Sequence, residues 1–309
     1  MAGSGTTVLA SDVNNPYNTG FSLMGTGSVS RGYGQTTFGA GVSVGQVISA
    51  NDYNNIRYDL LNASAHQNGT AAALTLAGNV AGDTINTTDA SNFISYASTV
   101  DTNRFTAHSS RISTTAWGTA SRTSSWASSV TATYSLTFAN ANVARYFWNA
   151  GGKIRISSSR TGGASTAQNT AWSNLLSAAG TQEYGGSSVY SWTTSQTTLY
   201  SASSSAPYSS NTYSIRVYCN TSNASGGASV FYFVLTWSDP YVDPAPGHPP
   251  APEDIVDGTL SYSVELKYPT GGAALASPSG SYSWVGFNNG GVGGYYALPS
   301  YSAPAPSGG

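Results

Sequence analysis

Charge is what this sequence lacks. Asp, Glu, Lys and Arg make up 8% of its 309 residues, against about 25% in ordinary soluble domains. Two lysines occur, Lys153 and Lys267, and three glutamates, Glu183, Glu253 and Glu265. Helices whose exposed faces are laced with i,i+4 ion pairs are therefore excluded. The arginines are scattered and the net charge is -2, so no basic stripe exists to neutralise phosphates and nucleic acid is not an expected partner. A single cysteine, Cys219, rules out an intramolecular disulfide. It lies in the strand-like run Tyr213–Cys219, where a small buried apolar role is expected. Long apolar runs are missing too, so no membrane insertion is expected. The opening Met-Ala-Gly-Ser-Gly-Thr-Thr-Val-Leu-Ala shows neither a basic nor an apolar leader region, and the expectation is synthesis without Sec export.

Titratable groups are equally sparse. His66, His108 and His248 share no metal-ligand spacing, and no Gly-x-Ser-x-Gly elbow occurs. The expectation is no catalytic residue, no metal and no cofactor. Acids gather only around the proline-rich linker 239–257, as Asp239, Asp243, Glu253, Asp254 and Asp257. They lack the loop spacing of a calcium site and a framework of strands setting two carboxylates face to face. Solvated loop charges are the expected reading.

Ser, Thr, Asn and Gly stand where charge would be, among 21 tyrosines and 7 tryptophans. Hydrophobic residues reach 39% and recur with clear periods, so a core can form and whole-chain disorder is not expected. Aromatic and β-branched residues suit a pleated, half-buried surface. The predicted class is α+β, predominantly β: antiparallel sheets or a sandwich, about three short amphipathic helices, and extended terminal arms.

Residues 1–45 are punctuated by glycine. The run Arg31-Gly-Tyr-Gly-Gln lacks the strand before it and the Lys-Ser/Thr after it that a phosphate loop needs, so an extended arm is predicted. A helix-containing region follows over 46–125. Its first helix opens at a capping-box-like Ser49 and Asp52, with Tyr53, Ile56, Leu60 and Leu61 on one face up to Gly69. A second begins near Thr88-Asp89, its stripe running through Phe93, Tyr96, Ala97, Val100 and Arg104. The β-rich core spans 126–268, with a helix inserted at 165–180 and Gly180 as its C′ residue. Strands are predicted at Val189–Trp192, Thr197–Tyr200, Tyr213–Cys219, Val230–Trp237 and Gly258–Tyr268. Val230–Trp237 is apolar enough to be central and two-sided. Residues 270–309 are rich in Gly, Tyr and Pro, and an arm that orders against a neighbouring subunit is expected.

One block is the most ordered of all. Along Ser129–Phe138, Val130, Ala132, Tyr134, Leu136 and Phe138 alternate with Ser and Thr, the period of a half-buried strand. Asn140 offers an N-cap, and Ala141 to Phe147 fit one or two helical turns. The pair Phe147 and Trp148 precedes Asn149-Ala150-Gly151-Gly152, a tight reversal in which Gly151 and Gly152 supply positive φ. Ile154 and Ile156 then resume alternation, and the whole reads as hairpin-like. This block resembles one found in structural proteins of tailed bacteriophages, especially marine and cyanobacterial phages. The phrase Val47-Ile-Ser-Ala-Asn-Asp-Tyr-Asn-Asn-Ile-Arg57 is similar to the first helix of the same proteins. The resemblance covers about a third of the chain and carries no active site. It implies a virion component of the neck, tail or a tail-associated fibre, made in host cytoplasm, whose partners are copies of itself and other virion proteins. A glycan-binding adhesin or receptor-binding fibre tip, contacting a host-surface glycan, is the alternative. A polysaccharide depolymerase is the third.

Overall fold

The computed structural model describes residues 10–69, 87–242, 255–270, 275–277, 280–282, 287–288 and 296–308. They fall into two compact units. Unit one draws on Met1–Ser113, Ala141–Gly152 and Tyr268–Leu298, and unit two on Thr114–Asn140, Lys153–Lys267 and Pro299–Gly309. Helices and strands coexist as an α+β fold whose main sheets are antiparallel, as the sequence predicts.

Unit one is built on α1 (Ala10–Met24), α2 (Ala50–Asn68) and α3 (Thr87–Thr102). Ser49 and Asp52 do form a capping box. The Ser49 amide donates to Asp52 Oδ2 at 2.7 Å, and the Asp52 amide donates to Ser49 Oγ at 3.4 Å. Two orphan amides at the start of α2 are thereby satisfied. Gly69 closes the helix in the left-handed region, φ 85°, its amide on the Ala65 carbonyl. Tyr53, Ile56 and Leu60 of α2 pack with Val13 of α1 and with Phe93 and Ala97 of α3. The rings of Tyr53 and Phe93 meet edge to face at 5.5 Å. Each such fully buried large side chain contributes about 1.5–3 kcal/mol. A second cluster joins Leu23, Met24, Tyr33, Ala63, Val100 and Ala150.

The predicted N-terminal arm is corrected here, because Ala10–Met24 is a helix packed on α2 and α3. Beyond Met24 the chain carries neither helix nor strand until α2. It is nonetheless pinned: Tyr33 and Gln35 amides donate to Leu23 and Met24 carbonyls, each at 2.7 Å. The Asn14 side chain exchanges two bonds with the Val42 backbone, at 2.9 and 2.8 Å.

Unit two contains β1 (Ile112–Arg122, with residues 114–122 in this unit), β2 (Ser129–Thr137), β3 (Lys153–Thr161), α5 (Ala167–Ala179), β4 (Thr181–Gly185), β5 (Thr197–Ser203), β6 (Thr212–Cys219), β7 (Val230–Ser238) and β8 (Thr259–Pro269). The 141–152 segment, with α4 (Ala141–Asn149), belongs to unit one. One sheet has the order β1-β8-β3-β4. The other runs β13-β2-β7-β6-β5, where β13 is Ser300–Ser302, and β14 (Ser307–Gly308) also pairs with β2. Alternate residues Phe231, Phe233, Leu235 and Trp237 of β7 are fully buried, as are Leu260, Tyr262, Val264 and Leu266 of β8. Trp237 links the two sheets: its indole donates to Ser158 Oγ of β3 at 2.9 Å, and its ring lies 6.3 Å from that of Tyr262. The sandwich predicted from alternation is therefore real. β7 is central, but one of its faces stays half-exposed, so the two-sided reading does not hold.

Other expectations also change. β2 and β3 do not pair; they lie in different sheets, so the block around Phe147 is not hairpin-like. Gly186–Ser191 is a 3₁₀ helix where a strand from Val189 was expected. The last part of the C-terminal segment is placed on its own chain, where β13 and β14 add to β2. Shorter pairs sit in unit one, β9 (Leu275–Ser277) with β10 (Gly280–Tyr282), and β11 (Phe287–Asn288) with β12 (Tyr296–Ala297). The linker acids Asp243, Glu253 and Asp254, and His248, lie outside the described residues.

Candidate interaction surfaces

The singled-out residues of α4 are interior. Phe147 and Trp148 are fully buried, their rings edge to face at 4.9 Å, and Phe287 meets Phe147 in the same way at 5.5 Å. Asn149 is buried and donates to the Gly32 carbonyl at 3.1 Å. The reversal that follows is a helix C-cap. Gly152 N–H bonds to Phe147 O at 2.8 Å and Gly151 N–H to Trp148 O at 3.3 Å, the paired bonds of a Schellman motif. Gly151 takes φ 89°. Gly152 does not have positive φ; it is needed because a Cβ there would sit 2.4 Å from the Phe147 carbonyl oxygen. These residues fix a turn of the fold and present nothing to a ligand.

Around this cap unit one buries polar groups. His66 of α2 is fully enclosed, and since its Nε2 faces the Ala150 carbonyl at 2.8 Å it is the donor there. Burial lowers its pKa to about 4, outweighing that bond. Gln67 donates to Tyr33 Oη and to Val100 O, and Tyr33 Oη donates to Arg104 O at 2.7 Å. Asp59, one helical face further up α2, accepts from the amides of Phe38 and Gly39 at 3.0 and 2.9 Å. Burial wins there as well and raises its pKa to about 6. Neither group was legible as special in the sequence. A shallow cleft of about 210 Å³ lies between α1 and α3, lined by Asn15, Pro16, Thr19, Ile94, Ala97, Ser98 and Asp101.

In unit two the scarce charges are concentrated. Both lysines and two of the three glutamates of the chain project from β3, β4 and β8. Lys153 and Lys267 donate to the two oxygens of Glu183 at 2.7 and 2.6 Å. Arg155 reaches Glu183 at 3.6 Å and bonds Glu265. Burial alone would raise the pKa of Glu183, but the two ammonium groups outweigh it and hold the carboxyl below its ordinary value. The ladder crosses three strands at the register Lys153↔Lys267 and Arg155↔Glu183.

Of the described linker acids, Asp239 is not a solvated loop charge, which corrects that expectation, and Asp257, though partly exposed, is bonded to its surroundings. Asp239 is buried and accepts from Gln168 Nε2 with both oxygens, at 2.9 and 2.8 Å. Asp257 accepts from the Ala164 amide at 3.0 Å, from Asn169 and from Arg160, and these bonds hold its pKa down. Both acids tie loops to the start of α5. The Cys219 thiol is buried, which pushes its pKa up to about 12. His108 is exposed and accepts from the Ser110 amide to cap a 3₁₀ turn. Among the described residues no three His, Cys, Asp or Glu converge as a metal would require.

Two surfaces of unit two stand out among the described residues. One is the outward face of the six-stranded sheet, carrying Thr131, Thr133, Ser135 and Thr137 of β2, Val234 of β7 and Arg216 of β6. On it Tyr218 and Tyr232 stand directly opposite, stacked at 4.6 Å and 14°. The other is the edge formed by β1, which pairs with β8 alone among the described residues. No family model matches the chain, and neither does any curated protein or solved structure.

Proposed function

We propose that this chain is a structural component of a phage virion, of the neck, tail or a tail-associated fibre, and acts by assembling with copies of itself and with other virion proteins. The observation that supports this best is how unit two treats its strand edges. β2 is covered by β13 and β14, drawn from more than 160 residues away in the sequence, whereas β1, uncharged until Arg122, pairs with β8 alone among the described residues. An open, uncharged edge is a liability in a monomer and an asset in an assembly. Of the two phrases that resemble phage proteins, one spans the capping box of α2, and the other, beginning at Ser129, spans β2, α4 with its C-cap, and β3. Made in host cytoplasm, such a protein would be incorporated there; no helix among the described residues is long and apolar enough to cross a membrane.

Light scattering on the full-length protein, with circular dichroism as a check on folding, tests the proposal. An oligomer, or a stable complex with other particle proteins, is expected. A folded protein that stays monomeric at high concentration, alone and mixed with particle proteins, overturns it.

A second reading, a glycan-binding adhesin or receptor-binding tip, is favoured by the outward face bearing Tyr218, Tyr232 and the exposed Arg216. Tyrosine and arginine are the residues that most often dominate binding surfaces. Binding on a glycan array that is lost in Tyr232→Ala would move it to first place. Release of reducing ends from capsular or exopolysaccharide would do so for a depolymerase.

A further inference from the structure

The edges of unit two are defended unequally. On the six-stranded sheet, β2 is capped by the chain's own β13 and β14. At its other side β5 carries a register shift between Thr198 and Tyr200, the kind of bulge that spoils an edge for further pairing. On the four-stranded sheet, β4 is only 5 residues long and holds Glu183. β1 shows no such device among the described residues. It is 11 residues long, pairs with β8 alone among the described residues, and none of its described side chains is buried.

Its sequence is also close to a palindrome. Ser113-Thr-Thr-Ala-Trp-Gly-Thr-Ala-Ser121 reads nearly the same in either direction about residue 117. We propose that β1 pairs antiparallel with β1 of a second copy about a two-fold axis at residue 117, joining the two four-stranded sheets into one. In that register Ser113 stands opposite the partner subunit's Ser121, and Thr115 opposite the partner subunit's Thr119. Ala116 meets the partner subunit's Gly118. Hydroxyl pairs of this kind favour adjacent strands, and small residues let the backbones approach. The strand's one charge, Arg122, falls opposite the partner subunit's Ile112, so no like charges meet anywhere along the seam. An isologous contact of this kind closes as a dimer and cannot propagate. The inference rests on the assembly reading and names its surface and partner.

The test uses the full chain and two double variants of equal burden. T115K/T119K sets like charges opposite each other at both crossings of the proposed register; T115K/T119E sets opposite charges there. Sedimentation equilibrium at low salt should show dimer association weakened at least about tenfold in T115K/T119K and restored to within about threefold of the parent in T115K/T119E. Circular dichroism verifies that both remain folded. If the parent associates but both variants associate as it does, or both lose association equally, the edge proposal is wrong while assembly through another surface stands. A parent that is monomeric at every concentration overturns this proposal, and the assembly reading falls with it only if the protein also forms no complex with particle proteins.

Discussion

Two buried groups on α2 titrate in opposite senses, and the balance between them is measurable. Burial raises Asp59 from an ordinary value near 3.8 to about 6. Its contribution to stability is therefore present below 3.8 and lost as pH rises through 6. Burial lowers His66 from 6.5 to about 4. Its contribution is present above 6.5 and lost as pH falls through 4, because the unfolded chain takes up a proton that the folded chain refuses. At roughly 1.4 kcal/mol per pKa unit, each displacement is worth about 3 kcal/mol. The two nearly cancel across pH 4–6.5, so this pair leaves the parent almost flat there. Removing one partner unmasks the other. D59N should gain stability by about 3 kcal/mol between pH 4 and 6.5, and H66Q should lose a similar amount over the same rise. The double variant should be flat again. Urea midpoints followed by tryptophan fluorescence, at half-unit pH steps, give these slopes as differences between variants, so titrations common to all of them drop out. D59N and H66Q profiles running parallel to the parent would refute the reasoning, since burial would then not be setting either pKa.

Three further outcomes are expected. Glu183→Gln should cost about 1–2 kcal/mol, the sum of a few exposed pairs and the repulsion of Lys153 from the facing Lys267; thermal melts should show that cost shrinking in high salt, and vanishing as pH falls below 4.5, where Glu183 protonates in the parent. Gly152→Ala should destabilise more than Gly151→Ala, because its Cβ meets a backbone oxygen at 2.4 Å, whereas at Gly151 the nearest atom is the Ala107 methyl at 2.9 Å; the reverse order of melting temperatures would show that positive φ, not space, dominates this cap. Deleting residues 300–309 should strip β13 and β14 from β2 and speed aggregation of a still-folded protein, and unchanged light scattering over time would show that the edge of β2 needs no cover.

Elements with a strong period were legible in the sequence, and those held by distant contacts were not. α2 announced itself through Ser49, Asp52 and the stripe Tyr53, Ile56, Leu60; α5 did so through Trp172, Leu175, Leu176 and the closing Gly180. α1 was hidden because Pro16 and Gly20 both argue against helix. Packing overrides them: Val13 is fully buried against α2 and α3, and Gly20 lies close against Leu60. β1 was missed because Ser, Thr and Ala fill most of it without an apolar alternation, and none of its described side chains is buried. The reversal after Trp148 was read as a hairpin turn because Asn-Ala-Gly-Gly fits either a turn or a helix cap. Only the length of α4 and the separate sheets of β2 and β3 decide between them. His66 and Asp59 carry no local signature at all, since their properties come from burial by residues far along the chain.

The placement of charge follows from the same scarcity. Strands made of Ser, Thr and small residues specify their register weakly, and a slip by one residue turns every side chain to the other face. The six-stranded sheet avoids this with large buried rings, Phe231, Phe233 and Trp237 on β7 facing Leu136, Tyr134 and Val130 on β2. β3 has only Ile154 and Ile156 as large buried apolar side chains, followed by Ser157, Ser158 and Ser159. Its partners are aligned instead by Lys153 and Arg155, which meet Glu183 on one side and Glu265 on the other. A shift of β3 by one residue would break every one of these pairs at once. The sequence therefore keeps its lysines where an apolar pattern is too short to hold a strand in place, and leaves β1, whose proposed partner is another copy, without them.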